Sequence, residues 1–206
     1  MSTRTDLVGT RAAIAPRIAL AATDETALRA ATRATGDSFL AAPPSTAQTI
    51  GEAMSTVLEA AFAALPDELR GPAPLYVLCH DYSVFAARRL VTRCHDTERR
   101  LRPSDSIRPE ASELVRPYLT AAGHRGSCYL LAGVSAGAVL ELVASSGHPG
   151  VVVCEPALLP GDDPHHRDCL AVAAAWGPGG ELPVLPDMAP STPSGLLNAL
   201  STERQS

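Results

Sequence analysis

Gly133-Val134-Ser135-Ala136-Gly137 follows directly on the apolar stretch 128–132 and leads into the small and apolar residues 136–145. That context predicts a strand, a tight turn and a helix, with Ser135 on the turn. A strained turn there would lift the hydroxyl clear of the sheet's C-terminal edge. The backbone N–H of Ala136, at the positive end of the helix, would then face a carbonyl oxygen as it gains negative charge. The chemistry this suits is acyl transfer with Ser135 as nucleophile, which needs a base to take the hydroxyl proton. The competing reading of Ser135 is a small residue tolerated in a Gly- and Ala-rich turn.

Three histidines are candidates for that base. His80 ends the apolar run 75–79, and in a parallel sheet that strand end opens on the same edge as Ser135. His165 and His166 lie downstream as neighbours in a polar stretch, and the pair also reads as a solvated loop. The segment 162–169 is rich in Asp and His but has no spaced second ligand pair, so no metal is expected. Cys79-His80 and Cys94-His95 repeat a dipeptide, one in an apolar setting and one in a polar one, and chance accounts for them. No metal, nucleotide or other cofactor is implied.

Elements that would position these residues can be read along the chain. Residues 17–22 form a short apolar run ahead of Thr23-Asp24-Glu25-Thr26, a helix-start signature for 27–34. Ile50, Met54, Val57, Leu58, Ala61, Phe62 and Leu65 recur at helical spacing within 47–65. Residues 75–79, 128–132 and 151–154 read as buried strands, with 170–175 a fourth. Helices are expected over 84–91, from Pro109 to a stop at Gly123, and over 136–145. From Gly177 the Gly and Pro density suggests a mobile tail with a short helix near 196–200. Strands alternating with helices predict an α/β fold, a mostly parallel sheet with helices on both faces in three layers. The expected division is an N-terminal strand-helix extension over 1–44, an α/β core over 45–176 and the tail over 177–206.

Composition narrows the function classes. The chain has 206 residues, enough for one domain with a substantial core, and a net charge of -5. Without a concentrated cationic face no nucleic-acid partner is expected. Its basic residues are all arginine, a compositional habit without chemical content. Five unevenly spaced cysteines, several in apolar runs, read as reduced core thiols in a cytoplasmic protein. Residues 1–10 lack the pattern of a secretory signal, and no apolar run reaches membrane-spanning length.

From 74 to 160 the chain resembles an α/β-hydrolase of the thioesterase type. The resemblance is carried by Pro74-Leu75-Tyr76-Val77-Leu78-Cys79-His80, by Glu113-Leu114-Val115-Arg116-Pro117-Tyr118-Leu119, by Tyr129-Leu130-Leu131-Ala132 before the Ser135 turn, and by Val151-Val152-Val153-Cys154-Glu155-Pro156. It implies that Glu155 orients a catalytic histidine, His165 or His166, with His80 as the alternative. It also implies an oxyanion site at Ala136 and at Asp81, which stands where hydrolases place glycine. For Glu155 the plainer reading is an exposed strand-end carboxylate. The substrate implied is an acyl thioester or ester, free or on a carrier protein.

The chain is also similar to the N-terminal half of the thiolase-like ketosynthases, with Ser135-Ala136-Gly137 falling on their Cys-Ala-Gly motif. That likeness includes the N-terminal strand and helices, which the hydrolase likeness leaves out. It implies a non-catalytic or half-size subunit that acts with a partner in acyl-chain or polyketide biosynthesis. An unfinished parallel sheet leaves an edge that a homodimer or heterodimer would cover.

Overall fold

A computed structural model describes residues 16–98, 100, 102, 110–161, 163, 165–177 and 192–202. The readings made for 1–10, for Pro109 and for 178–191 lie outside the described residues. In chain order the elements are β1 (Arg17–Ala22), α1 (Glu25–Thr35), β2 (Ser45–Thr46), α2 (Ile50–Ala63), α3 (Asp67–Arg70) and β3 (Leu75–Leu78). There follow α4 (His80–Cys94), α5 (Ser112–Ala121), β4 (Cys128–Leu131), α6 (Ala136–Ser145), β5 (Val151–Leu158), β6 (Cys169–Trp176) and α7 (Gly195–Thr202).

Local chemistry starts these helices where the side chains allow it. The Asp24 carboxylate accepts from Ala27 N at 2.7 Å to open α1, and Thr49 Oγ1 accepts from Glu52 N at 3.2 Å to open α2. Gly123, with φ 59°, ends the turn after α5 in a conformation that a side chain disfavours.

The six strands form one sheet in the order β2-β1-β6-β5-β3-β4. β1 pairs with β2, and β3 with β4 and β5, in parallel. β6 runs antiparallel to both β1 and β5. The fold is therefore α/β, with a mostly parallel sheet and helices on both faces. α2, α4 and α5 pack on one face around Met54, Leu58, Phe62, Tyr82 and Leu114. Helices α1, α6 and α7 cover the other around Leu28, Leu140, Val143, Leu196 and Leu200.

Of the strands expected to be buried, β6 is and β4 is not. All eight residues of β6 are buried, and the alanines among them let helices approach from both sides. By contrast β4, expected to be buried, is an edge strand with Tyr129 and Leu130 each 43% exposed. β1 belongs to the same sheet as the core strands, held by six register pairs to β6. The end of the segment expected to be a mobile tail is α7, whose Leu196, Leu197 and Leu200 are fully buried. Three leucines on one face of a short helix stabilise docking by roughly 1.5–3 kcal/mol each.

Candidate functional site

β3, β4 and β5 run in the same direction, so their C-terminal ends open together. β5 outruns its neighbour: its last pair with β3 is Val77 with Cys154, and it continues to Leu158 along β6. Glu155 thus stands at the sheet edge on the β3 side and mid-strand on the β6 side. A cavity of about 370 Å³ lies at this edge, at the small end for ligand sites. Its walls are Leu78 and Leu131 from the strand ends, His80 and Asp81 from the start of α4, Val134, Ser135, Ala136 and Gly137 from the start of α6, Glu155 and Pro156 from β5, and Gly195 from the start of α7. Four of the residues singled out by sequence, together with Ala136, are brought to one place.

Ser135 is the N-cap of α6. Its φ and ψ of -71° and 150° are ordinary extended backbone, and Oγ accepts from Ala138 N at 3.3 Å. The positive φ of the turn, 76°, falls on Gly133 instead. The expected strain at the serine is therefore absent: a glycine two residues earlier absorbs the turn, and Ser135 enters the helix relaxed. Among the described residues no histidine hydrogen-bonds its hydroxyl. The first residues of α4, His80 and Asp81, and of α6, Ala136 and Gly137, line this cavity, and the N–H groups of a helix's first turn have no partners within the helix.

Glu155 has other partners than a histidine. Its Oε2 accepts from the Ser194 hydroxyl at 2.5 Å and from Leu196 N at 2.8 Å, and its Oε1 accepts from Gly195 N at 3.2 Å. Ser194 Oγ in turn accepts from Leu197 N at 3.1 Å. The carboxylate and Ser194 together cap α7, where the helix's positive end favours negative charge. Burial raises the Glu155 pKa above the ordinary glutamate range; the Ser194, Leu196 and Gly195 donors oppose that shift, and the charge of Asp81 adds to it. Neither expectation for Glu155 survives, the exposed strand-end carboxylate or the partner of His165 or His166.

His165 and His166 are exposed in the connection between β5 and β6 and lie outside the cavity. His166 Nε2 approaches Asp168 Oδ1 at 3.7 Å, while Asp168 also accepts from the Thr23 hydroxyl at 2.9 Å. They do not reach Ser135 as a base. His80 is the histidine that shares its cavity, exposed at the first position of α4.

The cysteines are free thiols. Burial pushes Cys154 well above its ordinary range and Cys169 up to about 12, which suits packing and not nucleophilic attack. Among the described residues no group of three or more His, Cys, Asp or Glu is placed to hold a metal ion. No helix among them is long and apolar enough to cross a membrane.

Sequence reasoning passed over Ser194 and Gly195. The available signal was a serine followed by Gly195-Leu196-Leu197 and then Leu200, an N-cap ahead of an apolar helical face. No protein-family model and no curated protein matches the chain.

Proposed function

We propose that this chain is an acyl-binding subunit of the half-size thiolase-like kind, holding an acyl thioester or ester at the Ser135 cavity and acting with a partner. The observation that carries this reading is the commitment of Glu155 to α7. A self-sufficient serine hydrolase needs a base on the nucleophile and an acid on the base, and here the carboxylate accepts from Ser194, Gly195 and Leu196, with no histidine among its partners in the described residues. Two further facts support it. Ser135 caps α6 without strain, whereas a hydrolase nucleophile sits on a strained turn. β1 belongs in the sheet, which accounts for the N-terminal segment that only the ketosynthase likeness includes.

Bound here, a thioester carbonyl would accept from the Ala136 N–H, as an oxyanion site does. Leu78, Leu131, Val134 and Pro156 would receive the apolar part. The open edge at β4 supports the partner: this strand shows none of the charges, prolines or bulges that usually keep an edge from pairing.

A second reading, acyl transfer by Ser135 with His80 as base, is favoured by the presence of both side chains in one cavity. Intact-mass spectrometry after treatment with a serine-directed fluorophosphonate separates the two. The subunit reading predicts no adduct on the folded chain. A single adduct that disappears in Ser135→Ala and is slowed in His80→Ala would establish the hydrolase or acyltransferase instead.

A further inference from the structure

Of the six histidines, His80, His95, His148, His165 and His166 are exposed, and His124 is the one that the fold partly encloses. It lies in the turn between α5 and β4. Its ring meets Phe62 of α2 edge-on, with centroids 5.1 Å apart, and Phe62 stacks on Tyr118 of α5. The backbone of Arg70, at the end of α3, hydrogen-bonds the ring, while Nε2 is buried with no partner among the described residues. A neutral imidazole leaves only a lone pair at that place. An imidazolium would put an N–H there, and a buried donor without an acceptor is costly. The same turn fixes the start of β4. Arg125 N and Gly126 N both donate to Gly71 O, at 3.0 and 2.9 Å, and Leu75 N donates to Ser127 O at 2.9 Å. A Cβ on Gly126 would stand 2.4 Å from the Ala73 carbonyl oxygen, so the approach requires glycine. β4 pairs with β3 alone, and no second strand holds it in place.

We propose that His124 is an acid-sensitive latch on the β4 edge: protonation forces a donor into a place without an acceptor, the turn leaves its seat on Phe62, and the start of β4 loosens. The ionisable groups around it offer no counter-charge. Arg70 of α3 is itself a cation and pairs with Asp67. Tyr118 of α5 is kept neutral by burial, with the charge of Glu59 of α2 adding to that effect and Arg70 opposing it. Arg125, the next residue in the turn, adds only positive charge. Among the described residues no carboxylate pairs with the ring. Burial holds the His124 pKa below the ordinary histidine range, although the Arg70 hydrogen bond opposes this. The folded chain therefore binds this proton less readily than the unfolded chain does. Stability from His124 is complete above the ordinary histidine pKa, falls as pH drops through it, and is flat below the folded value.

Hydrogen exchange read by mass spectrometry on the full chain, compared at neutral and mildly acidic pH and corrected for the intrinsic pH dependence of exchange, tests the latch locally. In the wild type, peptides covering 122–131 are expected to lose protection about five- to tenfold on acidification relative to peptides of α2. His124→Asn, which keeps a donor and takes up no proton, should show no such loss. His124→Phe, which keeps a ring against Phe62, should give the same flat profile and serves if the Asn variant does not fold. In proton NMR the His124 ring should titrate below the five exposed histidines. Glu155 titrates in the opposite sense and acts through α7, so its effect falls on other peptides. A His124 ring that titrates with the exposed ones would overturn the latch, as would protection of 122–131 that ignores pH, or a loss that persists in both variants.

Discussion

Ser135 and Ser194 occupy the same position in their helices, yet their surroundings are opposite. Each is an N-cap whose hydroxyl oxygen accepts from the N–H three residues on, at 3.3 Å for Ser135 and 3.1 Å for Ser194. Ser194 is fully buried and donates its proton to a partly buried carboxylate; Ser135 is exposed on a cavity, and among the described residues its hydroxyl proton meets no acceptor. The serine with a nearby carboxylate, which resembles a catalytic pair on paper, is the structural one. What supports the proposal of a site at the other is its unspent hydrogen-bonding capacity, since a polar group fully engaged by the fold has little left to offer a ligand.

The comparison breaks most visibly at Glu155. Glu155→Ala leaves the Ser194 hydroxyl and two helix N–H groups without their acceptor, each costing about 1–3 kcal/mol when buried. A loss of about 3 kcal/mol or more in urea unfolding is expected, with α7 amides exchanging faster. A loss under about 1 kcal/mol would mean that α7 stays docked by its leucines alone.

Next come the two caps themselves. Ser194→Ala should cost about 2 kcal/mol and Ser135→Ala about 0.5–1 kcal/mol, the upper and lower parts of the range for removing a cap. Equal losses in thermal or urea melts would erase the distinction drawn between them.

A smaller effect follows from burial of Glu155. Its pKa is raised in the folded chain, so the fold binds this proton more readily than the unfolded chain does. The stability from this group is therefore fully present below the ordinary glutamate pKa, falls as pH rises through the elevated folded value, and is flat above it. A urea-midpoint series from acid to neutral pH should show this decline in the wild type and lose it in Glu155→Gln. A decline of the same size in Glu155→Gln would assign it to another group.

The smallest effect on the isolated fold is expected at the β4 edge. Leu130→Arg, at a side chain 43% exposed, should change monomer stability by no more than about 0.5 kcal/mol. It should abolish any association seen by sedimentation-equilibrium or light-scattering measurements of mass if β4 is where a partner strand adds. Association that persists in Leu130→Arg would move the interface elsewhere.

Much of this arrangement was legible from residue order. The amphipathic spacing through Met54, Leu58 and Phe62 marks α2, the small-residue turn marks the start of α6 at Ala136, and the apolar runs mark β3 close to its observed bounds and the first half of β5. Tyr129 and Leu130 misled, because an apolar run reads the same whether a strand is enclosed or stands at a sheet edge. Glu155 misled for a related reason: its donors lie 39 to 41 residues away, beyond any local pattern.

By itself the sequence determined the alternation of strands and helices and the small-residue turn that exposes Ser135, because these depend on neighbours within a few residues and on periodicity. Only the tertiary structure decided that Glu155 caps α7, that β4 is an edge, and that His80 shares a cavity with Ser135 while His165 and His166 do not. Those outcomes depend on which strand ends meet and which helix covers them, and sheet order follows from packing the whole chain.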